Sequence, residues 1–143
     1  MQVLRDDVRT YIIASKPWPT GSHLMIQSSG NGRKNPIVNG MVYAIDNASG
    51  HIAWKVPVTG HRLMLDQPHG LPLLVFASNV YDRTASERYS RVYCLDKRSG
   101  KVVCDERGTS SALSRVRLTA DPATARLHIR STNHTLTLSW KKQ

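Results

Sequence analysis

Ala44-Ile45-Asp46-Asn47-Ala48-Ser49-Gly50-His51-Ile52-Ala53-Trp54 is the stretch whose pattern decides the fold. The apolar run Met41-Val42-Tyr43-Ala44-Ile45 leads into its turn and His51-Ile52-Ala53-Trp54-Lys55-Val56 leads out, the pattern of two antiparallel strands joined by a short loop. Asp46 suits a carboxylate that bonds the turn's own backbone, and Gly50 suits the positive φ that returns the chain into the second strand. With Asp46 and His51 flanking the loop, Ala44 falls opposite Trp54, so a small residue faces the largest one across the ladder.

The same device returns fifty residues later. Val42-Tyr43-Ala44-Ile45-Asp46 is matched by Val92-Tyr93-Cys94-Leu95-Asp96, Ser49-Gly50 by Ser99-Gly100, and Trp54 by Cys104. At the same offset upstream, Leu24-Met25-Ile26-Gln27-Ser28 falls on Leu74-Val75-Phe76-Ala77-Ser78, and Tyr11-Ile12-Ile13-Ala14 on His61-Arg62-Leu63-Met64. A third, eroded copy follows at about 53 residues, in 114–118, 126–131 and 136–138. Each unit is three or four short strands in about 50 residues, the size of one propeller blade.

The motif Ala-x-Asp-x-x-Ser-Gly-x-x-x-Trp resembles the tryptophan-docking motif of the quinoprotein-type (PQQ-like) β-propeller repeat, with Ser49 where that family more often has Thr. Ala44, Asp46, Gly50 and Trp54 match it position by position; Asp96 and Gly100 match in the second copy, where Cys94 and Cys104 replace Ala and Trp. The resemblance implies that the Trp of one blade packs on the motif Gly of its neighbour. It also implies an all-β fold of antiparallel four-stranded blades.

Closed propellers use about four to eight blades, so a chain of 143 residues holding about three cannot close a ring alone. The expectation is a single partial propeller domain over residues 1–143, with blade one at about 10–58, blade two at about 61–107 and an incomplete blade three at about 113–140. Terminal blades without neighbours would expose apolar faces and unpaired strand edges, which predicts association with remaining blades, with copies of the chain, or with a protein partner.

In chain order, Met1 to Arg9 is polar and reads as no element. Strands are predicted at 10–15, 23–28, 41–46 and 51–58 in blade one, and at 61–66, 73–78, 91–96 and 101–106 in blade two. Two long polar loops, Ser29 to Gly40 and Asn79 to Ser90, separate them, and Asn39-Gly40 reads as a turn. By the symmetry of the repeat both loops lie on one edge of the disc, where Arg33, Lys34, Arg83 and Arg88 are candidate partner contacts. No stretch reaches the length of a leader core or membrane span, so the chain reads as soluble and untargeted. Export would be implied only for a longer propeller, which would place it outside the cytoplasm.

Twenty Lys and Arg against ten Asp and Glu give a net charge of +10. Such a surface attracts polyanions, yet aromatics are 6% and do not interleave with the basic residues as stacking platforms would. Cys94 and Cys104 occupy the two positions that face each other in the first hairpin. A cross-strand disulfide and a pair of buried thiols filling the space of an absent Trp are both open readings. The six histidines show no zinc spacing, no Gly-x-Ser-x-Gly elbow or phosphate loop occurs, and no catalytic or metal-binding set emerges.

These observations favour a non-catalytic scaffold with no cofactor. The resemblance adds a second function, the carboxy-terminal part of a quinoprotein-type oxidoreductase holding pyrroloquinoline quinone with calcium, although the adjacent cysteines of those enzymes do not occur here. A basic nucleic-acid-associated module is a third.

Overall fold

The computed structural model describes residues 1–28, 35–68, 70–109, 117–130 and 135–140. Through them run β1 (Gln2–Arg5), β2 (Arg9–Ser15), β3 (Leu24–Ser28), β4 (Ile37–Asp46), β5 (Ile52–Arg62), β6 (Leu73–Asp82), β7 (Glu87–Asp96), β8 (Val102–Thr109), β9 (Arg117–Asp121), β10 (Arg126–Arg130) and β11 (Thr135–Ser139). They form three antiparallel sheets: β1-β2-β4-β5, β3-β6-β7-β8 and β9-β10-β11. The protein is all-β, and no described helix is long and apolar enough to cross a membrane.

The sheets stack because of where their apolar residues fall. In β2, Tyr11 and Ile13 are buried while the intervening Ile12 is only half-buried, the alternation of a sheet covered on one face. In β6 the run Leu73-Leu74-Val75-Phe76-Ala77 is buried at every position, as a strand covered on both faces requires. Leu74 and Phe76 join Tyr11, Val42, Ala44, Trp54 and Leu95 between sheets one and two. Val75, Ala77, Val92 and Cys94 join Leu127 and Ile129 between sheets two and three. Sheet two is therefore the middle layer. The outer face of sheet three carries Arg117, Thr119, Arg126, Arg130 and Thr137, and is polar.

Five turns are built alike, each on an aspartate whose Oδ1 accepts backbone N–H groups two and three residues on, as Asx-type turns do. They start at Asp6, Asp46, Asp82, Asp96 and Asp121. Gly50 (φ 73°) and Gly100 (φ 74°) close two of them in the left-handed region that glycine enters at no steric cost.

Several expected boundaries are corrected. Gln2–Arg5, within the stretch read as no element, is a strand, because Val3 and Leu4 pair with Ile12 and Tyr11. Leu24–Ser28 does not belong to the first sheet; it pairs with Ser78–Asp82 of β6 in the second. Pro17 and Pro19 cannot continue a central strand and carry the chain away, and the end of β6 offers an open edge that β3 covers, with Ile26 packed against Val80 and Tyr89. The strand expected over 61–66 is reduced to a bridge from Leu63 to Phe76, since His61 and Arg62 complete β5 against Val38 and Ile37. The loop expected over 79–90 is instead the extended ends of β6 and β7 around a tight turn, where Ser86 takes φ 52°. Asn39-Gly40 is no turn: both sit in β4 beside a bulge, and a Cβ on Gly40 would run into the Ala14 carbonyl oxygen. The part of the first loop at 29–34 lies outside the described residues.

Candidate interaction site

Sheets one and two meet around Trp54. Ala44, fully buried, is paired with Trp54 across β4 and β5, and the missing side-chain volume at Ala44 leaves room for the indole to lean toward sheet two. There the indole lies over Gly100: a Cβ on that glycine would sit 2.7 Å from Trp54 Cδ2, so only glycine admits the ring. Trp54 Nε1 donates to the Lys97 carbonyl at 2.8 Å, and the Tyr11 ring flanks the indole at 6.0 Å.

The same carbonyl accepts a second bond, from Arg9 Nη1 at 2.5 Å, and Arg9 also reaches Arg98 O at 2.8 Å. The Lys97 ammonium pairs with Asp6 at 3.3 Å under the Tyr11 ring. Burial pulls the Lys97 pKa down and the Asp6 charge offsets part of this. Burial pushes the Asp6 carboxyl up, but bonds from the Arg9 and Val8 N–H groups, together with Lys97, bring it below its ordinary value. Burial and the Asp6 charge raise Tyr11. One turn of sheet two is thus held by an indole, a guanidinium and a carboxylate of sheet one. Asp46 and Asp96 build the turns on which this seat depends. Ser49 bonds hold the Asp46 carboxyl below its usual range.

Cys94 and Cys104 are directly paired across β7 and β8, in the positions of Ala44 and Trp54, and both are buried free thiols. Their mutual hydrogen bond, together with burial, raises Cys94, and the same bond lowers Cys104. Alkylation after denaturation without reductant is expected to label both; a chain that takes up no label would be disulfide-linked. An open cleft of about 910 Å³ lies beside Cys104, between β8 and the end of β11, lined also by Arg9, Leu73, Lys97, Leu138 and Trp140.

Of the candidate partner contacts, Arg83 and Arg88 are both exposed at the β6–β7 turn, where Arg88 lies 5.2 Å over the Tyr81 ring and Arg83 N donates to His23 O. Arg33 and Lys34 lie outside the described residues. The structure adds a group that the sequence did not mark: His61, 4% exposed, stacked on Tyr93 at 4.0 Å with its Nδ1 unpartnered. Burial, with Arg91 nearby, lowers its pKa to about 4. Only the packing of His61 at the end of β5 against Phe76 of β6 and Tyr93 of β7 creates this environment, so spacing alone gave no sign of it. Among the described residues no three of His, Cys, Asp and Glu gather as a metal site would need. Searches of family models, curated proteins and solved structures for a match to the chain find none.

Proposed function

We propose that the chain is a run of PQQ-like propeller blades that serves as a non-catalytic protein-interaction scaffold. The observation that carries this reading is the Trp54 indole lying on Gly100 and bonded to Lys97 O, a joint between two consecutive sheets of the kind the motif implies. Blades joined in this way make a rigid body, and rigid bodies present loops and turns to partners. The β6–β7 turn with Arg83 and Arg88 is such a feature, and its charge suits an acidic protein surface.

Other groups with shifted pKa values fit a structural role. Turn bonds account for Asp46 and Asp121 and, together with Lys97, for Asp6, while burial accounts for Lys97 and His61.

Titration of the folded chain with pyrroloquinoline quinone plus calcium separates the readings. The scaffold predicts no heat and no absorbance change; saturable binding near one equivalent would replace it with the oxidoreductase. Retention on DNA at low salt that vanishes at high salt would replace it with the nucleic-acid module.

A further inference from the structure

The two ends of the stack differ. The outer face of sheet three is polar, with Arg117 directly opposite Arg130. The outer face of sheet one carries Val3, Ile12, Tyr43 and Ile45, of which Val3 is 47% exposed and the other three are half-buried. Rows of this face run Val3, Ile12, Tyr43 and Lys55, then Arg5, Thr10, Ile45 and Ile52, from β1 to β5.

Its counterpart on sheet two is the face that sheet one covers. Tyr43 and Ile45 stand where Tyr93 and Leu95 stand, and through the strand pairings Ile12 stands where Phe76 stands. Phe76 and Leu95 are fully buried by sheet one. Gly50 stands where Gly100 stands, in the same Asx-type turn and with the same φ. Gly100 is covered by an indole; around Gly50 a Cβ would meet nothing within 4 Å. Sheet one therefore repeats the surface that receives Trp54, with Thr10 in the place of Leu74 and no indole on it.

We propose that the outer face of sheet one is a docking surface for one further antiparallel sheet of the same repeat, whose outermost strand places an indole over Gly50. The occupant is not a second copy of this chain. Trp54 is already committed to Gly100, Trp18 packs on Gly60 and donates to Leu24 O, and Trp140 packs against the core between sheets two and three, so a copy has no indole to offer. The polar outer face of sheet three cannot serve as the complementary apolar surface either. The proposal rests on the blade reading and names the partner that reading needs.

The test extends the full chain by one sheet. Leu63 occupies in sheet two the place of Val3 in sheet one, since Leu63 bridges Phe76 and Val3 pairs with Ile12. A copy of residues 1–62 joined directly to Val3 therefore reproduces the natural connection. The added copy carries Val3→Thr, Ile12→Thr, Tyr43→Thr and Ile45→Thr so that its own outer face is polar, and the extended protein is expected to bind an apolar-surface dye several-fold less than the parent and to show one additional buried indole by its emission. Trp54→Ala in the added copy alone should restore dye binding, as should Gly50→Val in the resident sheet, while Gly50→Val in the parent leaves dye binding unchanged. Undiminished dye binding with a solvent-like added indole would overturn the proposal. So would a dimeric parent that Ile45→Asp renders monomeric, because the face would then belong to a second copy. Failure of the blade reading is separate: it shows as a parent chain whose unfolding is indifferent to Trp54→Ala.

Discussion

Trp54→Ala in the parent chain is expected to lower stability by about 3–5 kcal/mol, the range for removing a buried tryptophan. For a domain of this size that corresponds to a fall of roughly 10–20 °C in the melting temperature. Three losses combine. The space between Gly100 and Tyr11 empties, the Lys97 carbonyl loses one of its two donors, and the Asp6–Lys97 pair becomes more hydrated. Gly100→Ala approaches the same joint from the other side, forcing a Cβ to within 2.7 Å of the indole at a residue with φ 74°. Because both substitutions break one contact, their effects should be clearly less than additive in a double-mutant cycle. Thermal unfolding of the four proteins measures this. Additive effects, or a loss under about 1 kcal/mol for Trp54→Ala, would mean that the indole does not join the sheets.

Acidification from pH 6.5 to pH 4 is expected to cost the protein about 3 kcal/mol through His61 alone. The sign follows from the lowered pKa. Burial holds His61 neutral in the folded state down to about pH 4, with Arg91 adding to the effect, whereas the unfolded chain takes up a proton at the ordinary value of 6.5. Between those limits the unfolded state binds more protons, so stability falls as pH falls; the slope fades as pH rises through 6.5 and the unfolded imidazole also becomes neutral. The carboxylates with depressed values, Asp6, Asp46 and Asp121, lose their contributions lower, as pH drops through their folded-state values below 3.8. The two windows are therefore separable. His61→Phe keeps a ring against Tyr93 and Phe76 and removes the unpartnered Nδ1. It should flatten the slope between pH 6.5 and pH 4 while leaving stability at pH 7 equal or higher. Denaturant midpoints across that range would settle it, and a variant with an unchanged slope would remove His61 from the account.

The local chemistry of the hairpins was legible in the sequence. Asp46 and Gly50, like Asp96 and Gly100, form turns whose requirements are met within five residues, so the ladder and the Ala44–Trp54 and Cys94–Cys104 pairings follow from the chain itself. Two strands of the third sheet, Arg126–Arg130 and Thr135–Ser139, fall where the eroded repeat at 126–131 and 136–138 put them, because one face meets the core and the other meets water; the strand expected at 114–118 lies instead at Arg117–Asp121, with 114–116 outside the described residues. The joint over Gly100 was anticipated through the motif, and its partners Arg9 and Asp6 were not, since they lie some ninety residues away from Lys97 in the chain.

What the chain alone determined is whatever a residue settles with its near neighbours: the antiparallel hairpins, the Asx-type turns, and which side chains share a face. Tertiary structure decided which sheet each strand joins. Leu24–Ser28 is as good an edge for one sheet as for another, and its own residues do not state that Ser78–Asp82 will be left open. Asn39-Gly40 carries the signature of a turn, yet the approach of the Ala14 carbonyl makes it a place where two strands crowd together. His61 is an ordinary histidine until β5 lays it on Tyr93. Backbone bonding in a turn is a short-range commitment, whereas edge pairing and desolvation depend on surfaces that exist only once distant segments have come together.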